Sequence, residues 1–213
     1  MNYNFSEFKS FKSLTKLILI TPHGRSGSLF VQGLLDSHPQ IISLPYFINH
    51  YDIDFKYKNL EELLDRYFEL NKELLQVSDI FGLDLEKYEN FDVILIKKIM
   101  HAVLSESKSI NNKDILCSLF YAYLKFKKKD ILDIKFLLVH LHLYDACFNT
   151  YSFEYKIDLR HHKCIMDDFD SKLYIALISD STLSLSSYLR KDVSLQNLSY
   201  HISYIIFSFL SLN

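Results

Sequence analysis

The chain opens on a sharp contrast between apolar and polar stretches. Lys16-Leu-Ile-Leu-Ile-Thr-Pro22 is a short apolar run closed by breakers, the pattern of a strand buried on both faces. Residues 28–37 then place Leu29, Phe30, Gly33, Leu34 and Leu35 at helical spacing. Asp36-Ser-His-Pro39 ends that helix, because the residue before a proline avoids the helical region. Residues 40–44, closed by Pro45, predict a second short strand.

From residue 59 to 129 the period changes to that of helices. Leu60, Leu63, Leu64, Tyr67, Leu70 and Leu74 form one stripe. Phe91, Ile94, Leu95, Ile99, Ala102 and Val103 form another, and Ile115, Leu116, Leu119, Phe120 and Tyr123 a third. The basic run at 127–129 is read as a helix end, where cations meet the negative pole of the dipole. Strand patterns return at residues 134–143 and 173–178, and residues 180–190 start a helix rich in capping side chains. Strands separated by helices predict an α/β fold: a central, mostly parallel sheet flanked by helices, opening on a P-loop-like strand–turn–helix. The expectation is one domain over residues 1–213 with a helical insert at 59–129.

Composition adds constraints. A net charge of −2 argues against general affinity for nucleic acid or anionic membrane, so an anion site has to be local. The apolar run at 17–20 is too short for the core of a signal peptide. The apolar stretch at 202–212, broken by Ser203, Ser208 and Ser211, is shorter than the roughly 20 residues of a membrane span, and a buried terminal helix is expected there. Cys117, Cys147 and Cys164 are odd in number and widely spaced, so they are read as inert thiols in a reducing, cytoplasmic compartment. His161-His162 lacks further ligands at metal-binding spacing, and no metal is expected. His38 is expected to fix a helix end, and His101 to be structural.

With only 4 Gly and 3 Pro in 213 residues, the grouping of Pro22, Gly24 and Gly27 is informative. A buried parallel strand delivers the chain to the carboxyl edge of a sheet, where α/β proteins bind ligands. Gly24 and Gly27 allow successive backbone N–H groups to face one concavity, and the helix that follows adds its positive pole. Arg25 brings a forked cation, and Ser26 and Ser28 bring hydroxyls. A multi-oxygen anion answers all of these groups together. The spacing is neither G-x-x-x-x-G-K-[ST] nor G-x-G-x-x-G.

T-P-H-G-R-S-G-S-L-F (residues 21–30), followed by L-L-D-S-H-P-Q-I (residues 34–41), resembles the 5′-phosphosulfate loop of PAPS-dependent sulfotransferases. The resemblance implies PAPS as co-substrate. Backbone N–H groups around Gly24, Arg25, Ser26, Gly27, Ser28 and Leu29 would hold the 5′-phosphate, and Arg25 would neutralise the bridging oxygen as the bond to sulfur breaks. Residues 173–188 are similar to the strand and helix that hold the 3′-phosphate in this family, with Asp180 and Ser187 in matching places. Ser179 stands where the family carries Arg. A hydroxyl does not replace a guanidinium fork, and losing one charge-assisted contact costs roughly 1.5–3 kcal/mol.

Sulfuryl transfer also needs a group to take the acceptor's proton, a task suited to histidine near neutral pH. Val139-His-Leu-His-Leu143 closes a predicted strand, with His140 and His142 on one face. Both resemble the His-Leu of many sulfotransferases; His142 is nearer the strand end and is preferred, with His140 the alternative. Other branches of the family use Glu. Tyr67, Phe120, Tyr121 and Tyr123 are candidates for an acceptor wall, with core packing the stronger expectation. After Lys191 no Lys or Arg follows, so the family's closing segment over the adenine is expected to be missing.

Two functions stay open. One is transfer of a sulfuryl group to a hydroxyl of a carbohydrate or small metabolite. The other is a non-catalytic nucleotide- or anion-binding remnant acting through a partner. A kinase-like nucleotide transferase ranks third, since the phosphate-binding Lys is absent.

Overall fold

The computed structural model describes residues 3–22, 28–45, 48, 51–53, 57–71, 92–141 and 159–177. Chain order is α1 (Phe5–Leu14), β1 (Lys16–Pro22), α2 (Ser28–Asp36), β2 (Ile41–Ser43), α3 (Leu60–Leu70), α4 (Val93–Leu104), α5 (Asn112–Phe126), β3 (Phe136–His140), α6 (Leu159–Asp168) and β4 (Lys172–Leu177). The fold is α/β, as the alternation of periods predicts. The four strands form one sheet in the order β2-β3-β1-β4. Every pairing is parallel, with Ile18 beside Leu138 on one side and Leu173 on the other.

β1 has the bounds the apolar run gives it. β3 is shorter than the ten-residue pattern: Ile134 lies in a turn, its N–H donating to Ile131 O, and only an isolated bridge at Leu141 extends the ladder.

The two faces of the sheet carry unequal cores. One face packs Leu17, Leu19, Leu137 and Val139 against α1, α3, α4, α5 and α6. α5 is the centre of that layer, buried at every position from Asp114 to Leu124, so its apolar residues run all round rather than in a stripe. The other face joins Ile18, Ile20, Ile41 and Leu138 to α2 through half-buried Val31 and Leu35.

α1 and α6 have no counterpart among the sequence expectations. α1 buries only Phe8 and Phe11, and α6 holds its place through Ile165, so each shows too few apolar positions to stand out. Asn4 caps α1, Glu7 accepts from Tyr121 Oη and Lys125 Nζ on α5, and Lys12 pairs with Asp114. One stripe needs correction. In α4 the buried residues are Ile96, Ile99, Met100, Val103 and Leu104, while Ile94 is exposed. His101 lies on the surface rather than in a structural stripe.

Among the described residues no helix is long and apolar enough to cross a membrane. Cys117 is buried, which pushes its thiol up to about 12, and Cys164 is half-buried with its thiol also raised by burial. Neither is poised as a nucleophile. Cys147 and the segments 180–190 and 202–212 lie outside the described residues.

Candidate functional site

The strand order creates a divergence at the carboxyl edge. From β1 the chain proceeds to β2, passing β3; from β3 it proceeds to β4, passing β1. α2, on the first route, covers the Ile18–Leu138 face, and α6, on the second, packs on the opposite face through Ile165. Two neighbouring strands whose continuations part over opposite faces leave a crevice beyond their ends, the position at which open α/β sheets take ligands.

His140 ends β3 directly beside Ile20 of β1, and Leu141 N–H donates to Ile20 O. β1 ends at Pro22, two residues beyond the register partner of His140, and residues 23–27, which follow, lie outside the described residues. Ser28 is the first residue of α2 and is half-buried, whereas Leu29 is exposed. Ser28 and Gln32, four residues apart, share the inward face of the helix.

The start of α2 differs from that of other helices in the chain. α1, α3, α4 and α5 each begin on an Asn or Asp whose side chain accepts from first-turn amides. α2 is preceded by Gly27, which has no side chain, and no acidic residue sits in its first turn. The positive pole of α2 thus meets no carboxylate from its own first turn, which suits an external anion.

His140 is buried on the α2 face of the sheet. Its Nδ1 lies 2.7 Å from Gln32 Oε1. Gln32 Nε2 donates to Leu44 O at 2.8 Å and to Ser43 Oγ at 3.1 Å, and Ser43 Oγ itself donates to Leu44 O. Burial lowers the imidazole to about 4, so it is neutral at pH 7. On the opposite face near the same edge, Thr21 Oγ1 donates to Tyr174 Oη at 2.7 Å.

Gln32 was not among the sequence candidates. The apolar positions Leu29, Phe30 and Leu34 pointed to a helix, correctly, but all three are exposed. The inward face is Ser28, Val31, Gln32 and Leu35. A signal was present: Gln32 falls one turn beyond Ser28 and beside Val31 and Leu35, an amide on an otherwise apolar face. His38, at the end of α2, accepts from Gln40 N–H through Nδ1 and shapes the turn into β2.

Of the candidate site residues, the structure places His140, Ser28 and Leu29 at one sheet edge. Gly24, Arg25, Ser26, Gly27, His142, Asp180 and Ser187 lie outside the described residues. Tyr67, Phe120, Tyr121 and Tyr123 are core residues. Two shallow hollows beside α1 share Phe5, Lys9 and Glu106 and take in none of this edge. In one of them Lys12 is already engaged by Asp114.

No protein-family model matches the chain, and searches of curated proteins and of solved structures return no match.

Proposed function

We propose that this chain transfers a sulfuryl group from PAPS to a hydroxyl of a carbohydrate or small metabolite. One observation carries the proposal. The sequence T-P-H-G-R-S-G-S bridges β1 and a helix with no acidic residue in its first turn, at the switch point of a parallel sheet, with a histidine in register on the next strand.

In this scheme backbone N–H groups from Gly24 to Leu29 and the guanidinium of Arg25 hold the phosphosulfate. The acceptor oxygen attacks sulfur in line, the bond from sulfur to the bridging oxygen breaks, and Arg25 neutralises the charge that develops there. The acceptor's proton passes to His142 or His140. Asp180 and Ser187 contact the 3′-phosphate side. An anion held beyond β1 favours the imidazolium, which moves a buried histidine's pKa back toward neutrality once the donor is in place.

Calorimetric titration with the desulfated nucleotide tests the binding half. Binding to the wild type, weakened at least tenfold in Arg25→Ala, is expected. No binding, or the same affinity in both proteins, would overturn the proposal.

Ser179, in the place of the family's arginine, favours a second reading: a nucleotide- or anion-binding protein that acts through a partner without catalysis. Turnover of labelled PAPS on a panel of hydroxyl acceptors separates the two, since any transfer rules out the second.

A further inference from the structure

The hydrogen-bond chain behind His140 fixes more than its position. A backbone carbonyl can only accept, so the group of Gln32 that lies 2.8 Å from Leu44 O has to be its NH2. Ser43 adds a second constraint of the same sense. Its hydroxyl hydrogen is directed to Leu44 O, leaving Oγ to accept from Gln32. Both contacts orient the amide one way, and the carbonyl Oε1 is left facing His140 Nδ1 at 2.7 Å. Oε1 can only accept, so the hydrogen between them belongs to Nδ1. A neutral imidazole carries one such hydrogen, and Nε2 is left with its lone pair.

We propose that Gln32 is the positioning residue of this site, holding His140 in the Nδ1–H form so that Nε2 receives a proton-bearing group. The chemical class that meets Nε2 is then a hydroxyl or amine, and the anionic donor is excluded from it, since a phosphate or sulfate oxygen has no hydrogen to offer at neutral pH. The role of this arrangement in transfer rests on the sulfuryl-transfer reading. The tautomer does not.

Three structural points support the assignment. Gln32 is buried although it is an amide on a surface helix, and its amide is used in full by β2 and β3. Its anchor is main chain: Leu44 O immediately follows β2, so the tautomer is set by the backbone and not by a mobile side chain. Burial keeps the ring neutral at pH 7, and Gln32, Ser43 and Ile20, its described neighbours along this chain and in the ladder, are uncharged. Among the described residues, the charged group that joins this network is Asp36, which accepts from Ser43 N–H at 3.2 Å.

The test is nitrogen NMR on the full chain labelled with [15N]histidine, with His140 identified by the signal lost in His140→Gln. Two-bond proton–nitrogen correlations distinguish the two neutral tautomers and the imidazolium. The wild type is expected to show a protonated Nδ1 and a bare Nε2 at pH 7. Gln32→Met removes the acceptor and is expected to shift the ring to the Nε2–H form or to a mixture. Gln32→Glu keeps an acceptor at Nδ1 and adds a negative charge, so it should keep the tautomer and raise proton affinity at least tenfold. An Nε2–H or doubly protonated ring in the wild type at pH 7 would overturn the proposal, as would an unchanged tautomer in Gln32→Met. If Gln32→Met does not fold, the wild-type and Gln32→Glu spectra still decide. PAPS binding and turnover are read separately. Their absence with the tautomer intact removes the transfer reading alone. Where turnover is present, Gln32→Met should lower kcat at least tenfold while leaving KM for PAPS within twofold.

Discussion

His140 is a buried base held neutral by its surroundings, and that has a thermodynamic consequence. Its pKa falls from 6.5 in the unfolded chain to about 4 in the fold. Above pH 6.5 neither state takes up the proton, and stability is unaffected by this group. As pH falls from 6.5 to 4 the unfolded chain binds the proton first, and the fold loses about 3 kcal/mol over that window, flat thereafter. Denaturant unfolding at pH 7.5 and pH 4.5 measures this directly. The wild type should lose about 2–3 kcal/mol more between the two than His140→Gln does. Equal losses would show that the buried ring does not carry the linkage. At this scale the sequence was partly legible. His140 and His142 both stood out at the end of an apolar run, with His142 preferred as nearer the strand end; the strand ends at His140, and Gln32, its hydrogen-bond partner, did not stand out. A single amide between apolar neighbours has no spacing signature, and its meaning depends on Ser43 and Leu44 arriving from another strand.

At the scale of elements, long and strongly patterned segments were readable while thin ones were not. β1 kept its predicted bounds because an apolar run between a lysine and Thr-Pro has few alternatives. α1 and α6 escaped because tertiary contacts, and not a broad apolar stripe, hold them in place. α2 was found by its spacing, but of its apolar positions Leu35 packs on the sheet while Leu29, Phe30 and Leu34 are exposed. The basic run at 127–129 does end α5, and it does so with a cost. Lys128 has φ of 53°, the left-handed region that usually calls for glycine. Lys129 N–H reaches back to Leu124 O, closing the last turn around that residue. A side chain in this region costs roughly 1–2 kcal/mol. Lys128→Gly is therefore expected to stabilise the fold by about 1 kcal/mol, read as an upward shift in the urea midpoint with an unchanged slope. A neutral or negative shift would mean that Lys128 makes compensating contacts.

Across the whole molecule, the alternation of strand and helix patterns carried the fold class, because a parallel sheet needs crossovers and a crossover needs length. What the alternation does not carry is strand order. The order β2-β3-β1-β4 depends on which crossover passes over which face, and residues far apart in sequence decide that. Under the sulfuryl-transfer reading the order matters, since it brings the end of β3 beside the end of β1. The strand that leads into the motif at 21–30 and a histidine found at 140 become neighbours only through it.

The asymmetry between the two layers bears on how the molecule breathes. α5 is locked in on all sides, whereas α2 leans on four buried side chains and leaves Phe30 and Leu34 outside. Local opening should therefore begin with α2, and native-state deuterium uptake offers a direct view. Amides of α2 are expected to exchange through openings that leave α5 protected, and saturating desulfated nucleotide should slow the α2 amides while hardly changing those of α5. Exchange of both helices at one common rate would show a single cooperative unit. A helix seated this loosely is one that a ligand bound at its start would help to fold.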